Sequence, residues 1–118
     1  MSGPRKVIAF AAALVLFIGV GAVEATPKWT ATHNRKPMPC IRKYEGHYTE
    51  RQGTRRYAYQ MGPKEWDSVS NARQEALWPY LWQERYWPLQ DEKAWRLYEL
   101  KGIRKWSDFN ANVRRHCR

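Results

Sequence analysis

Seventeen consecutive apolar residues at positions 7–23, VIAFAAALVLFIGVGAV, constrain this chain more than anything else in it. They leave the remainder short of Ile, Leu and Val but rich in large rings. All seven Trp and all seven Tyr lie after residue 28. A chain of 118 residues has room for one domain at most. A core drawn only from the part after the run is thin, because small domains bury a low fraction of their surface. The expected fold is mainly α: one N-terminal transmembrane helix, an extended loop, then about three short helices with little independent core.

Two readings of the run compete. As a helix it spans about 26 Å, near the lower limit for crossing the ~30 Å hydrocarbon core. Arg5 and Lys6 can snorkel at one end, and Ala25 and Trp29 extend the other. As a secretory signal, Met1 to Lys6 is the basic leader and Val23-Glu24-Ala25 a cleavage site, so the product begins near Thr26. The run exceeds the about 7 to 15 residues usual for a signal core, which favours a retained anchor. A buried helix of a soluble domain is disfavoured, since no other segment is apolar enough to surround it. The organisation expected is a tail over 1–6, a transmembrane helix over 7–25, an extended basic connector over 26–62 and a small helical region over 63–118.

Within the connector, Pro27, Pro37, Pro39 and the four-residue PMPC signal non-helical chain. From Pro63 the pattern turns helical. Pro63 suits a first helical position, with Glu65 and Asp67 near the positive end of the dipole. Trp66, Val69, Arg73, Leu77, Tyr80 and Leu81 recur at amphipathic spacing until Pro79 kinks or ends the helix. Asp91 is the expected N-cap of a second helix that Gly102 closes. A third is expected from Ser107, with Phe109, Val113 and Cys117 on one face.

The stretch 78–89, WPYLWQERYWPL, holds five aromatic residues between two Trp-Pro steps. Trp78, Tyr80, Trp82, Tyr86 and Trp87, together with Trp66, exceed what a thin core needs. They are the candidate contact surface toward partner proteins, close to lipid headgroups. Cys40 and Cys117 are the only cysteines, and in an oxidising compartment they can pair; two free thiols are the alternative. His33, Cys40 and His47 stand seven residues apart, but no C-x-x-C or H-x-x-x-H pair accompanies them, so no metal site is expected. No Gly-rich phosphate loop, nucleophile elbow or carboxylate pair is present, so neither a catalytic site, a cofactor nor a small-molecule substrate is expected. The net charge of +10 suits an anionic partner, an acidic protein or an anionic lipid surface. The basic residues are scattered and form no recognition module, which argues against nucleic acid.

An early apolar span and a basic, Trp/Tyr-rich tail resemble accessory subunits of mitochondrial respiratory complexes. Within that group, GPKEWDSVSNAR resembles the region after the span in the one-span complex I subunit known as MWFE. Gly62, Glu65, Trp66, Asp67 and Arg73 match, while Ser70-Asn71-Ala72 stands where that family has a Met-Glu-Arg-like cluster. The match covers about a tenth of the chain. The resemblance implies a non-catalytic structural subunit in the mitochondrial inner membrane, with residues 26–118 in the intermembrane space. The alternative is a secreted basic helical protein with one Cys40–Cys117 bridge, binding an anionic surface.

Overall fold

The computed structural model describes residues 29–118. The expected tail over 1–6 and transmembrane helix over 7–25 lie outside the described residues. Among the described residues, no helix is long and apolar enough to cross a membrane.

The described chain is mainly helical, as expected, and without a strand. Its helices are α1 (Met38–Glu45), α2 (Pro63–Ser68), α3 (Ala72–Glu75), α4 (Trp87–Lys101), α5 (Arg104–Ser107) and α6 (Ala111–His116). Single 3-10 turns at Ala31–Asn34, Trp78–Tyr80 and Glu84–Tyr86 join them. Five helices, rather than three, therefore lie after residue 62.

The extended connector expected over 26–62 is corrected by α1 and by the buried reversal after it. Pro39 is not a breaker here: it sits in the first turn of α1, where its missing N–H has no helical partner to lose. Met38 and Ile41 then turn one face of α1 into the core. Between α1 and α2 the chain makes a tight reversal in which Arg56 and Met61 exchange backbone hydrogen bonds of 3.2 and 3.0 Å. Tyr57, Ala58 and Tyr59 in that reversal are fully buried. Tyr57 holds a φ of 75°, a region a bulky residue enters only under constraint. Its N–H donates to Glu50 O and its hydroxyl to Trp78 O, fixing it at both ends.

The expected helix from Pro63 breaks before it reaches Leu81. Asn71 is extended and caps α3: its side chain accepts from Gln74 N at 2.8 Å, and Gln74 Oε1 accepts from Asn71 N at 3.0 Å. The helix expected to start at Asp91 begins four residues earlier, with Pro88 in its first turn. Gly102 ends it at a φ of 72°, as the sequence pattern predicts. The third helix, expected from Ser107, starts instead at Ala111 as α6, where Asn110 accepts from Asn112 N and Val113 N, and the separate short α5 ends at Ser107. Val113 and Cys117 face inward, whereas Phe109 leaves their face and is 81% exposed.

The expectation of little independent core is also corrected. The core draws Met38 and Ile41 from α1, the 57–61 reversal, Trp66, Leu81, Ala94 and Leu97 from α4, Trp106 and Val113. Its four largest fully buried side chains, Trp66, Trp106, Tyr57 and Tyr59, are aromatic, and its two buried indoles are both satisfied. Trp66 Nε1 donates to Gln74 O and Trp106 Nε1 to Tyr59 O. Gln90, buried in α4, accepts from Ala58 N and donates to Tyr48 O and Leu81 O. A Cys40–Cys117 disulfide ties α1 to the C-terminus across a separation of 77 residues.

Candidate functional site

Two places concentrate chemistry. The first is a buried polar hub around Asp91, whose carboxylate is fully buried. Tyr48 donates to Oδ1 at 2.7 Å, and Tyr59 donates to the same oxygen. His33 Nδ1 lies 2.9 Å from Oδ2 and Arg42 Nη1 3.5 Å from Oδ1. Arg42 also donates to the His33 carbonyl at 2.6 Å and to the Tyr59 hydroxyl at 2.8 Å. Burial, then the Asp91 charge, pushes both tyrosine hydroxyls well above their ordinary range. Trp29 covers His33 with ring centroids 4.0 Å apart, and Trp87 stacks on Tyr48 at 5.3 Å.

A His-Asp pair invites a catalytic reading. Nδ1 of the His33 ring, however, is held 2.9 Å from Asp91 Oδ2 and 3.0 Å from the Tyr48 hydroxyl, and Thr30 and Thr32 bond each other at 2.8 Å. No serine, threonine or cysteine among the described residues is held against the ring as a nucleophile. No group of three or more His, Cys, Asp or Glu able to hold a metal exists among the described residues. The hub's chemistry is a closed network joining the 31–34 turn, α1, the 57–61 reversal and α4.

The second place is an open groove of about 930 Å³, within the size range of ligand sites. Its walls come from Asn34, Lys36, Pro37 and Pro39 before and in α1, Tyr98 of α4, Ile103 and Arg104 at the α4–α5 turn, and the C-terminal His116 and Arg118. The Cys40–Cys117 bridge joins the two sides. Among the described residues, no carboxylate side chain lines it. Arg104 is paired at its edge with Asp108 at 3.3 Å, whereas Lys36 and Arg118 have no ion pair among the described residues. An apolar floor under unpaired cations is suited to an anion carrying an apolar part.

A third cluster is structural. Lys105 Nζ lies 3.0 Å from Glu65 Oε2, with Arg55 at 3.4 Å from the same carboxyl. Burial pushes the Lys105 ammonium down despite Glu65. Burial also pushes Glu65 up, but the Gly62 N–H and Lys105 outweigh it and leave it below its usual range. Both groups are shifted down, which favours the charged form of Glu65 and disfavours that of Lys105, so desolvation of the ammonium offsets part of the attraction.

The expected contact residues divide. Trp66 is internal and fully buried, which corrects its place on a contact surface. Trp78, Trp82, Tyr86 and Trp87 are half-buried, and of the six only Tyr80, at 53%, is exposed. Trp87 Nε1 donates to Trp82 O at 2.9 Å, and Trp78 Nε1 to Met61 O at 3.2 Å. Arg51 and Arg56 lie over the Trp82 and Trp78 rings at 4.3 and 4.4 Å. The aromatic stretch thus serves largely as wall and lid of its own core. Cys40 and Cys117 are brought together as a disulfide. Sequence reasoning misses His33, Arg42, Tyr48 and Tyr59, whose partner Asp91 is 32 to 58 residues away for three of them. It also misses the groove, although a signal exists: KPMPC and RRHCR place basic residues beside both cysteines, and pairing the cysteines gathers the charge.

No family model, curated protein or solved structure matches the chain.

Proposed function

We propose that this chain is a non-catalytic, disulfide-closed binding domain that works in an oxidising compartment and engages an anionic surface. The apolar run at 7–23 serves to bring it to a membrane. The observation that carries the reading is the Cys40–Cys117 bridge, which closes an otherwise complete aromatic core and sets unpaired cations around itself. A net charge of +10 supplies long-range attraction to such a surface.

The test is vesicle docking. Full-length protein is reconstituted into phosphatidylcholine vesicles, which are then offered labelled vesicles with or without phosphatidylglycerol. Capture of the anionic vesicles alone, weakening as salt shortens the Debye length from about 10 Å at 0.1 M to about 3 Å at 1 M, supports the reading. Equal capture of both kinds, or of neither, refutes it.

A second reading keeps the oxidising compartment and changes the partner. On the resemblance at Gly62 to Arg73, the chain is an accessory subunit of a mitochondrial respiratory complex, with residues 26–118 in the intermembrane space. The exposed Tyr80 ring favours a protein contact at the aromatic stretch. Tyr80→Ala tests it cleanly, because Trp82 and Trp87 are also internal packing. Loss of co-purification with inner-membrane complexes supports this reading, and unchanged recovery counts against it.

A further inference from the structure

We propose that the groove over the disulfide is a binding site for the phosphate headgroup of an anionic phospholipid, with its glycerol and first acyl carbons on the apolar wall. This rests on the anionic-surface reading and names the residues that carry it. Lys36 and Arg118 supply the charge, and Arg104 adds a guanidinium whose fork matches phosphate oxygens. Pro37, Pro39, Tyr98 and Ile103 supply the apolar wall.

Competing occupants fit less well. An extended peptide bound along this wall needs backbone donors, and Pro37 and Pro39 have none. Single-stranded nucleic acid needs open aromatic faces to stack on. Among the described residues, Tyr98 is the groove's only aromatic ring besides His116. It already packs on Trp95 at 5.3 Å, and His116 stacks on Tyr44 at 5.4 Å. A phosphodiester with hydrocarbon attached needs neither backbone donors nor open rings. Position also agrees. Asn34 comes eleven residues after Val23, the end of the apolar run. A fully extended chain of that length reaches at most about 40 Å, so the groove stays within reach of the headgroups where that run would enter.

The bridge has a role in this site beyond stability. Cys40 carries the Pro37–Pro39 wall and Cys117 is flanked by His116 and Arg118. Reduction releases the C-terminal cations from the apolar wall, so headgroup binding depends on oxidation.

The experiment is photo-crosslinking of the full chain in phosphatidylcholine vesicles. These are doped with phosphatidylglycerol that bears a diazirine near the glycerol, or with phosphatidylcholine bearing the same group. Peptides spanning 34–41 and 98–105 should be labelled by the phosphatidylglycerol probe and hardly by the phosphatidylcholine probe. Each basic residue near an anionic surface contributes about 1 kcal/mol, so Lys36→Glu with Arg118→Glu should cut the labelling by at least about tenfold. The double variant must still resist alkylation before reduction, which shows that its bridge is intact, and keep the parent's near-UV circular dichroism, which shows that its fold is. Milder Lys36→Gln with Arg118→Gln gives a smaller loss in the same direction. Labelling confined to other segments overturns the groove assignment while leaving vesicle docking, and so the broader reading, standing. Equal labelling by both probes also overturns it. Full competition by inorganic phosphate would show a free-phosphate site and overturn the lipid assignment.

Discussion

Replacing Asp91 by Ala is the perturbation that reaches furthest into this fold. The carboxylate is fully buried, receives the Tyr48 and Tyr59 hydroxyls, and faces His33 and Arg42. Removing it takes the carboxylate from the Arg42 guanidinium and the acceptor from two largely buried hydroxyls. Losing one partner of a buried charge pair costs about 3–5 kcal/mol. Arg42 retains the His33 carbonyl and the Tyr59 hydroxyl, which holds the cost toward the lower end. For a domain of about 60–100 residues each kcal/mol lowers Tm by about 4–8 °C, so a fall of at least about 12 °C is expected. Asp91→Asn keeps the shape and an acceptor for the tyrosines and should cost less, about 1–3 kcal/mol. The assay is urea unfolding of the full chain in nonionic detergent, monitored by near-UV circular dichroism. An Ala variant within about 1 kcal/mol of the parent would show that the hub does not hold the four segments together.

Three further outcomes are expected. Tyr48 and Tyr59 keep their protons in the fold above the ordinary tyrosine value of 10.0, so their contribution to stability is constant below pH 10.0 and is lost above it, and tyrosinate absorbance from these two should appear only with unfolding. On the acid side, Glu65 titrates below its ordinary 4.5, so its contribution is present above pH 4.5 and lost as pH falls through the lower folded value; Glu65→Gln should flatten that limb of a pH–stability curve. At Gly46 an added Cβ would lie 2.7 Å from the Tyr57 carbonyl oxygen, so Gly46→Ala should cost about 1–3 kcal/mol in the same urea assay, and a neutral result would mean that the 46–57 approach is looser than it stands.

The parts of the fold legible in sequence are those set by local chemistry. Pro63 at a helix start and Gly102 at a helix end act through one residue's own backbone, and both are found where the pattern puts them. Asp91 resembles an N-cap because an aspartate before a helical pattern usually is one. Here its oxygens are claimed by residues far away in sequence, and no local rule sees that. Pro39 and Pro88 read as punctuation, but proline opens a helix as readily as it ends one, and the choice depends on what the next turn can bury. Met38 and Ile41 bury against the core, so α1 forms inside a basic, proline-marked stretch. The aromatic stretch is legible as a contact surface, yet its contacts are mostly within the chain, because Trp and Tyr replace the missing aliphatic residues of the core. Pairing of Cys40 with Cys117 is one of two open alternatives in the sequence, and the groove depends on that pairing.

Both the proposed binding function and the groove stand or fall with the redox state of those two cysteines in the protein as it is made. A bridge across 77 residues stabilises by about 4 kcal/mol on the loop-entropy view, and it also assembles the basic groove. The measurement is intact-mass analysis of natural protein, quenched with a thiol-alkylating reagent at the moment of extraction, with and without prior reduction. No alkyl groups before reduction and two after it is the expected result. Two alkyl groups without reduction would mean free thiols, a reducing compartment and an unassembled groove, and would contradict a disulfide-closed binding domain.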